Sequence, residues 1–313
     1  MFNNKPKVSV IIPTYNREHL ISRSIDSVLN QTYKDFEVII VDDASTDNTE
    51  ELIKKEYPTL IYLRLKKNMG AAVARNTGLN VARGEYIAFH DSDDEWFPEK
   101  LEKQMDVFDK SPEVGVVYTD MLRIFEDQGI DYWNSPTVYS GILVNEQTLD
   151  YQVLGIGIQS AVIQKECIEY VGYFDDKLPR LIDLDLFLRL SKYFKFYHIR
   201  EPLVKYYENE GISTNIIAGY TARIYLLNKY FNCLKGNKKF LARQYYDIGY
   251  SMMSIGNLRS GRHYLIKAIK ANPIAIKSIV LLIISLAGQN IYEKIINIYN
   301  TIYWRLFHAS SVK

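Results

Sequence analysis

Cysteine and net charge are both scarce in this sequence. It contains two cysteines, Cys167 and Cys233, which lie far apart and show no metal-ligand spacing. Their placement argues against a disulfide framework and a zinc site, and it favours a reducing cytoplasm. The 38 basic and 37 acidic residues nearly cancel and leave a net charge of +1. We therefore expect no nucleic-acid partner, and charge-based recognition has to be local.

The sequence also lacks an apolar run long enough to span a bilayer. Its most apolar window, residues 274–287, has 14 residues and includes Lys277, whereas a span needs about 20. The polar stretch TYNRE follows VSVII too soon for a secretory signal, so we expect the chain to stay in the cytoplasm. The apolar window suits a buried helix or an interfacial one, which leaves open a peripheral contact of the C-terminal helices with the inner face of the cell membrane.

Two glycine-rich phosphate-binding patterns are missing as well. No G-x-G-x-x-G follows the first predicted strand, which argues against a dinucleotide-dependent oxidoreductase. That strand leads instead to PTYNRE, without the glycine- and lysine-rich loop expected of enzymes that make sugar nucleotides. A phosphate-containing ligand would therefore have to be held in another way.

What the sequence does contain is a regular alternation of strand and helix patterns over its first 118 residues. With 47% apolar residues the chain can form a large core. The alternation predicts an α/β domain with a mainly parallel sheet flanked by helices. The predicted strand and helix pairs are 8–12 with 17–30, 37–41 with 47–56, 60–65 with 71–82, and 86–89 with 98–109, followed by a strand at 114–118.

The remaining two thirds of the chain are less regular. Residues 119–160 lose the alternation, and strand signals fade after about residue 215. We expect a main domain over 1–215, with halves 1–118 and 119–215, and a C-terminal all-helical extension over 216–313. One tetratricopeptide-like helical hairpin is predicted in the extension from the spacing of Tyr245, Ile248, Gly249, Met252, Gly261, Leu265, Ala268 and Pro273.

Polar residues cluster where the predicted strands end, and ligands of parallel sheets bind at that edge. Asp91, Asp93 and Asp94 are the most crowded of these residues. Such carboxylates repel one another unless a cation lies between them, and their hard oxygen atoms suit Mg²⁺ or Mn²⁺. A solvated acidic turn or a helix cap is the alternative interpretation.

Two further clusters contain groups that recognise nucleotides. Asp43 follows the second predicted strand, where a carboxylate can accept hydrogen bonds from a base N–H or from ribose hydroxyls. Arg75 lies on a predicted helix, and its planar donor fork can hold a diphosphate or a base. Taken singly, Asp43 could be an ordinary strand-end acid and Arg75 an exposed arginine paired with a surface acid.

Taken together, the clusters carry a resemblance. The segments PTYNR, VDDASTDNT, ARNTG, ARGEYIAF and DSDDEWFP occur in the order and spacing of family 2 glycosyltransferases with the GT-A fold. The sequence resembles that family strongly over residues 7–120 and more loosely over 155–215, where GYFDDKL and IDLDLFLRL match the acceptor-side segment. The resemblance implies a GT-A domain over 1–215, with a nucleotide-sugar-binding half and an acceptor-side half.

The resemblance also implies roles for individual residues. Thr14 and Tyr15 would flank a uracil-type base, and Asp43 would bind its N–H edge. Asp91 would approach the ribose or the metal, and Asp93 would hold the Mn²⁺ or Mg²⁺ that bridges the diphosphate. Asp183 matches the general base. The implied donor-binding set is Thr14, Tyr15, Arg17, Asp43, Arg75, Asp91 and Ser92, and the implied metal ligands are Asp91 and Asp93.

The residues around Asp183 support its role independently. Asp183 and Asp185 lie in the apolar segment LIDLDLFLRL, where burying two carboxylates without a purpose would be costly. Asp185 can pair with Arg189 four residues on, which leaves one carboxylate for chemistry. In the alternative interpretation, both aspartates cap or pair at the start of the helix.

Several positions depart from the family pattern. Ile182 stands where relatives often have glutamate, and His90 stands at a leucine-like position. Tyr207 and Asn209 occupy positions that are arginine and histidine in many relatives, so Lys205 becomes the candidate for holding the departing phosphate. The Gln-x-x-Arg-Trp motif of processive polymer synthases is absent, which favours transfer of a single sugar.

The sequence therefore predicts a metal-dependent inverting glycosyltransferase of hexosyltransferase type. Its donor would be a nucleotide sugar, preferably a UDP-sugar, and its acceptor a hydroxyl of a saccharide or lipid-linked saccharide, as in bacterial surface polysaccharide or glycoconjugate synthesis. The alternative from a different class is a catalytically silent protein that binds a sugar nucleotide or a carrier. The presence of Asp43, Asp93 and Asp183 argues against that alternative.

Overall fold

Two compact units make up the chain, residues 1–210 and residues 211–313. The computed structural model describes residues 5–125, 129–133, 141–142, 153, 155–207, 215–296 and 298. For Tyr132 and Trp133 the sequence leaves open stacking on an acceptor sugar or ordinary packing; both lie in a described strand, but their side chains are outside the described part. Asn209, which departs from the family pattern, lies outside the described residues.

A single mixed sheet forms the centre of the first unit. Its strands are β1 (Val8–Thr14), β2 (Phe36–Asp42), β3 (Ile61–Arg64), β4 (Tyr86–Phe89), β5 (Glu95–Trp96), β6 (Val114–Phe125), β7 (Gly129–Trp133), β8 (Gly141–Ile142), β9 (Val162–Gln164) and β10 (Lys195–Tyr207). The strand order is β3-β2-β1-β4-β9-β6-β10-β5, with β7 beside β6 and β8 beside β10. Helices flank this sheet: α1 (Ile21–Leu29), α2 (Thr49–Glu56), α3 (Ala71–Val81), α4 (Lys100–Lys110), α5 (Lys165–Val171) and α6 (Ile182–Leu190).

The prediction of a mainly parallel sheet holds for only part of this arrangement. Strands β3, β2, β1 and β4 are parallel to one another, and β6 is parallel to β10. Strand β9 lies between β4 and β6 and is antiparallel to both. The predicted strand at 114–118 continues to Phe125, because pairing with β10 and β7 extends it past Thr119 and Asp120. These two residues interrupt the apolar pattern but are buried.

Close packing of α3 on β1 explains one glycine of the ARNTG segment. A Cβ atom added at Gly78 would lie 2.5 Å from Cγ2 of Ile11, closer than two carbon atoms can approach. Glycine therefore lets α3 lie directly on the central strand, which fixes the position of Arg75 one turn earlier on the same helix. A packing requirement in the core thus positions a residue of the candidate site.

At the amino end of the sheet, Glu37 is the centre of a buried polar cluster. Its carboxylate accepts hydrogen bonds from the Ser9 hydroxyl (2.6 Å) and from the Arg83 backbone N–H (2.7 Å), Nε (2.8 Å) and guanidinium NH2 (2.7 Å). The Gly84 N–H donates to Ser9 Oγ at 2.8 Å. The ARGEY segment therefore ties β1, β2 and the turn before β4 together, which is a structural role.

We expect Glu37→Gln to lower the free energy of unfolding by about 1.5–3 kcal/mol near neutral pH, because hydrogen bonds to a charged group are lost. Burial opposes ionisation of Glu37, but the Ser9 and Arg83 hydrogen bonds outweigh it and lower the pKa of its carboxyl group. Its stabilisation is therefore present above the pKa of the unfolded chain and is lost as the pH falls through the lower folded value. Urea unfolding at neutral and acidic pH measures this, and an equal loss at both would contradict the assignment.

The second unit is helical throughout its described residues. Its helices are α7 (Ile216–Lys229), α8 (Phe231–Leu234), α9 (Lys238–Ser254), α10 (Leu258–Ala271) and α11 (Ile276–Leu286). Side chains of Asn215, Asn237 and Asn257 cap α7, α9 and α10 by accepting a backbone N–H of the first turn. No helix in the described part of the chain is long and apolar enough to cross a membrane.

Helices α9 and α10 form a tightly packed hairpin. A Cβ atom at Gly249 would lie 2.9 Å from the Gly261 carbonyl oxygen, so two glycines allow the close approach. Met253 and Leu265 from this hairpin form a core with Leu281 and Tyr292. The predicted α/β architecture with a helical C-terminal region is confirmed, while the assignment of the hairpin to the tetratricopeptide class stays a prediction.

Candidate active site

The polar segments after β1, β2 and β4 meet at the carboxyl edge of the sheet. Thr14 at the end of β1 is paired in register with Asp42 at the end of β2, and Ile11 of β1 is paired with Phe89 at the end of β4. His90 and Asp91 follow Phe89 directly. The acidic segment, residues 91–94, therefore begins beside the other two. Hydrogen bonds lock the first two segments together, since the Asn16 N–H donates to Ser45 Oγ at 2.9 Å.

Asp43 is held rigidly at this edge. Its carboxylate accepts the backbone N–H groups of Met69 at 2.6 Å and Gly70 at 2.7 Å, and its own N–H donates to the Thr14 carbonyl at 2.8 Å. Gly70 has a φ of +89°, a conformation that favours glycine. A carboxylate offers about four acceptor positions, so Asp43 retains acceptor capacity for a ligand.

Neighbouring Asp42 is fully buried and accepts hydrogen bonds from the Tyr62 hydroxyl and the Ser45 N–H, so its role is structural.

Residues predicted to contact the donor base differ in exposure. Tyr15 is 41% exposed and can offer its ring to a ligand, whereas Thr14 is buried. The Thr14 hydroxyl has no hydrogen-bond partner within the described residues. Ser92 is also buried, at the turn between Asp91 and Asp93. Asp43 is buried too, at 4% exposed, so among these residues Tyr15 is the one that presents its side chain to a ligand.

Arg75 pairs with Asp91 and not with a surface acid. Its guanidinium NH2 lies 2.5 Å from Asp91 Oδ1, and its side chain is almost buried. The guanidinium carbon lies 5.7 Å from the centre of the Phe174 ring, and Phe174 is in turn fixed by two backbone hydrogen bonds to the Asn76 side chain. Helix α3 thus supplies a buried cation that holds one of the candidate metal ligands.

The second candidate metal ligand, Asp93, contacts Arg17. The Arg17 NH2 lies 3.2 Å from Asp93 Oδ2, and both side chains are partly exposed. Burial and the nearby Asp91 charge raise the pKa of the Asp93 carboxyl group above its usual range. Asp94 is turned inward, fully buried, and accepts the Tyr207 N–H at 3.0 Å. Burial, followed by the charges of Asp91 and Asp93, raises the pKa of Asp94 well above its usual range.

These features test whether the site suits a divalent cation. Within the described ranges, no three histidine, cysteine, aspartate or glutamate side chains converge into a complete metal cage. Mg²⁺ and related ions are commonly bound by one or two carboxylates together with substrate phosphates and water. Asp91 and Asp93 fit that pattern, because both are partly exposed and the charge of one disfavours ionisation of the other. A cation with the donor diphosphate would complete the site.

Asp183 is half-buried and lies in the first turn of α6, whose N-cap residue, Leu181, has a left-handed backbone with a φ of +61°. Burial raises the pKa of the Asp183 carboxyl group; the Leu184 N–H and the charge of Arg75 oppose this shift, and the charge of Asp91 adds to it. Asp183 is therefore electrostatically coupled to the Arg75 and Asp91 pair. A carboxylate with a raised pKa is a better proton acceptor than an exposed one.

Asp185, the other acid of this helix, has a structural role. It is fully buried and lies 3.0 Å from Arg189 Nε, which confirms the predicted pairing four residues on. The Arg189 guanidinium also donates to the carbonyl groups of Val171, Gly172 and Tyr173. The Asp185 and Arg189 pair therefore anchors α6 to the segment after α5 and leaves Asp183 available for chemistry.

Lys205, the predicted candidate for holding a departing phosphate, is engaged elsewhere. Its Nζ lies 2.9 Å from Glu95 Oε2, and Glu95 Oε1 also accepts a hydrogen bond from the Tyr207 hydroxyl at 2.5 Å.

Arg23 of α1 contacts the same region. Its guanidinium carbon lies 3.7 Å from the centre of the Tyr207 ring, and its NH2 group donates to the Asp93 carbonyl at 2.5 Å. Sequence reasoning missed Arg23 and Glu95 as supports of the acidic segment, because no local pattern links α1 to the end of β10.

His90 and Trp96 are buried residues that flank the acidic segment in sequence. The His90 ring is fully buried, lies 4.5 Å from the Trp96 ring, and has Nε2 3.3 Å from the Ser27 hydroxyl. Burial and the charge of Lys100 lower the pKa of His90 to about 3, so its imidazole is neutral. The buried Trp96 indole N–H donates to the Gln159 carbonyl at 3.0 Å. Both residues act in packing.

The chain is similar to known proteins in sequence and in fold. An uncharacterized glycosyltransferase of Haemophilus influenzae is 28% identical over 262 residues, which cover 82% of this chain and 88% of that relative. The structure of TarS 1–349 from S. aureus in complex with UDP-GlcNAc has a TM-score of 0.61 at 20% identity, covering 94% of this chain and 92% of that one.

A second solved structure shares the fold at similarly low identity. It is the mannosyltransferase PcManGT from Pyrobaculum calidifontis in complex with GDP-Man and Mn²⁺, with a TM-score of 0.58 and 18% identity over 99% of this chain and 87% of that one. These likenesses confirm the predicted GT-A fold. The family model described as glycosyl transferase family 2 matches residues 9–165, half of the chain. The chain therefore belongs to glycosyl transferase family 2.

Proposed function

We propose that this glycosyltransferase is metal-dependent and inverting, and that it moves a single sugar from a UDP-sugar to an acceptor hydroxyl. One observation carries the proposal: a half-buried carboxylate of raised pKa, Asp183, is coupled to the Arg75 and Asp91 pair beside Asp93. A proton acceptor and two candidate cation ligands are therefore close enough to interact. A metal-dependent inverting transfer uses both groups at one site.

Chemically, the acceptor hydroxyl is a poor nucleophile until its proton has a destination. We infer that the Asp183 carboxylate takes that proton as the hydroxyl oxygen forms a bond to C1 of the donor sugar. The bond from C1 to the phosphate oxygen breaks on the opposite side, and the nucleoside diphosphate leaves with the electron pair. Held by Asp91 and Asp93, Mn²⁺ or Mg²⁺ would neutralise the charge that develops on this leaving group.

The donor class is supported by the relatives, and the base by this chain. TarS and PcManGT hold UDP-GlcNAc and GDP-Man in their solved structures, and PcManGT also holds Mn²⁺. A preference for UDP rests on Asp43 and on exposed Tyr15 at the edge of the sheet. The proposed acceptor is a saccharide or lipid-linked saccharide. The absence of Gln-x-x-Arg-Trp supports single-sugar transfer.

A panel of nucleotide sugars tests the proposal. Wild-type protein is incubated with each donor in the presence of Mn²⁺, Mg²⁺ or excess EDTA, and release of the nucleoside diphosphate is measured. We expect slow hydrolysis of at least one UDP-sugar with a divalent cation and none in EDTA. Thermal stabilisation by donors without turnover of any of them would favour the silent binding protein instead.

Asp43→Ala should weaken the binding of UDP about 10- to 150-fold, since one hydrogen bond to a charged group is worth about 1.5–3 kcal/mol. UMP should lose affinity by the same factor, because Asp43 is assigned to the base and not to the diphosphate. Calorimetry measures both ligands, with the exposed Asp109→Ala as the matched control and thermal melting as the test of folding. Unchanged affinity of folded Asp43→Ala would show that the assignment is wrong.

A further inference from the structure

The near-zero net charge of the chain hides a strong separation between its two units. Residues 211–313 contain 14 basic and 2 acidic residues, whereas residues 1–210 contain 24 basic and 35 acidic ones. The two acids of the second unit are Asp247 and Glu293, and every charged residue between them is basic. Recognition by charge is expected to be local, and the excess of basic residues in the helical unit is suited to anionic partners.

Helix α11 exposes aliphatic side chains and buries two serines, while Leu281, Leu282 and Ile284 pack against the core of the unit. Its exposed positions are Ile276 (71%), Val280 (48%), Ile283 (62%) and Leu286 (67%), and the spacing of four, three and three residues places them on one face. Its buried positions are Ser278, Leu281 and Ser285. A helix in contact with water normally buries its aliphatic residues and exposes its serines, so this face is suited to an apolar environment.

The turns of helix that follow repeat the pattern. Residues 289–296 are helical, with Ile291 and Ile295 exposed, and Ile298 beyond them is exposed as well. Tyr292 between them is buried in the core that contains Leu281. Two successive helices thus expose isoleucine while burying other residues, which a single chance substitution does not explain.

The orientation of α11 is fixed by its buried side. The Arg262 guanidinium of α10 donates from Nε to Ser285 Oγ at 3.1 Å and from NH2 to the Ser285 carbonyl oxygen. Leu281 packs with Met253 and Leu265 of the α9 and α10 hairpin. Rotating the aliphatic face inward would break these contacts, so its exposure is built into the unit.

We propose that the isoleucine surface, defined by Ile276, Val280, Ile283 and Leu286, lies in the interfacial layer of an anionic lipid bilayer. An exposed aliphatic face beside basic residues is the combination that holds a helix in the plane of such a membrane. Exposed lysines in this region are Lys270, Lys277 and Lys294. The proposal stands on the second unit alone and does not depend on the proposed sugar transfer.

Other partners for the isoleucine surface would match either its charge or its apolar face, but not both. A soluble polyanion would pair with the lysines but leave the four aliphatic side chains in water. A second copy of the chain would cover those side chains but bring two strongly basic units together, which costs electrostatic energy at moderate ionic strength. A bilayer with anionic headgroups matches both the charge and the apolar face.

Flotation of the chain of 313 residues with lipid vesicles tests the surface. We expect binding to vesicles that contain phosphatidylglycerol, weaker binding at high salt, and little binding to pure phosphatidylcholine. The variant Ile276→Ser/Val280→Ser/Ile283→Ser should lower the partition coefficient at least ~10-fold, because aliphatic area no longer leaves water. The matched control changes three exposed apolar residues of the first unit, Leu29→Ser/Val81→Ser/Tyr170→Ser, and should bind like wild type.

The charge contribution has its own variants. Lys270→Glu/Lys277→Glu/Lys294→Glu should lose binding to anionic vesicles, while Lys55→Glu/Lys110→Glu in the first unit should not. Absence of vesicle binding by wild type, or unchanged binding of the serine variant with an unchanged melting temperature, would overturn the proposal. A wild-type dimer in sedimentation that the serine variant dissociates would assign the surface to a second copy instead.

Discussion

Asp183→Asn is expected to reduce sugar transfer by at least about two orders of magnitude while leaving the affinity for donor and metal near the wild-type value. A positioned general base contributes roughly 10²–10⁴-fold to such a reaction. Asparagine retains the size of aspartate and an oxygen atom to accept the Leu184 N–H at 2.8 Å. Only the ability to take a proton is lost, so the change appears in kcat and not in binding.

Asp185→Asn is the matched control, because it changes the same residue type two positions away on the same helix. Asp185 is bonded to Arg189 and fully buried, so its loss should lower the melting temperature but leave kcat of the folded enzyme near wild type. Steady-state kinetics with thermal melting separates the two effects. Transfer by Asp183→Asn at the wild-type rate would refute the assignment of the base.

Asp93→Ala is expected to abolish turnover of the donor while the fold stays intact. Asp93 is partly exposed, and the neighbouring Asp91 charge helps to raise the pKa of its carboxyl group, a repulsion that a bound cation would relieve. Without this ligand, Mn²⁺ should bind the protein and UDP together much more weakly. The leaving nucleoside diphosphate would then depart without charge neutralisation.

Calorimetric titration of Mn²⁺ in the presence of UDP, with measured nucleoside diphosphate release, checks this expectation. Asp106→Ala is the control, because Asp106 is an exposed acid paired with Lys110 on α4. It should retain both metal binding and turnover. Full activity of the wild type in excess EDTA would show that the enzyme needs no divalent cation.

The part of the site that the sequence predicts is the part built by a regular local pattern. Strands β1, β2 and β4 are parallel, so residues that follow them in sequence necessarily meet at one edge of the sheet. This is why Asp43 and Asp91 could be assigned to one site. The ion pair between Asp185 and Arg189 could be predicted equally well, since residues four apart lie on one helix face.

Other features depend on contacts that no local pattern contains. Strand β9 has three residues and lies between β4 and β6, and so short a run gives no distinct periodic signal. Arg23 contacts the Asp93 carbonyl across 70 positions of sequence. Lys205 is bound to Glu95, so the phosphate-holding function suggested by its position has a competing acidic partner.

The helical unit shows a similar limit. Residues 274–287 are apolar in sequence, but apolarity alone does not tell which face of a helix turns inward. Contacts of Leu281 and Ser285 with the α9 and α10 hairpin decide that. Likewise, the total charge of +1 conceals the separation between the two units, which becomes visible once their boundary is known.

The measurement that tests the central claim most directly is real-time proton NMR of donor hydrolysis by the wild-type protein. An α-linked UDP-sugar is supplied with a divalent cation, and water takes the place of the acceptor hydroxyl. If Asp183 activates the nucleophile opposite the leaving diphosphate, the released sugar appears first as the β anomer and only with the cation present. Initial release of the α anomer, or release at the same rate in EDTA, would contradict metal-dependent inverting transfer.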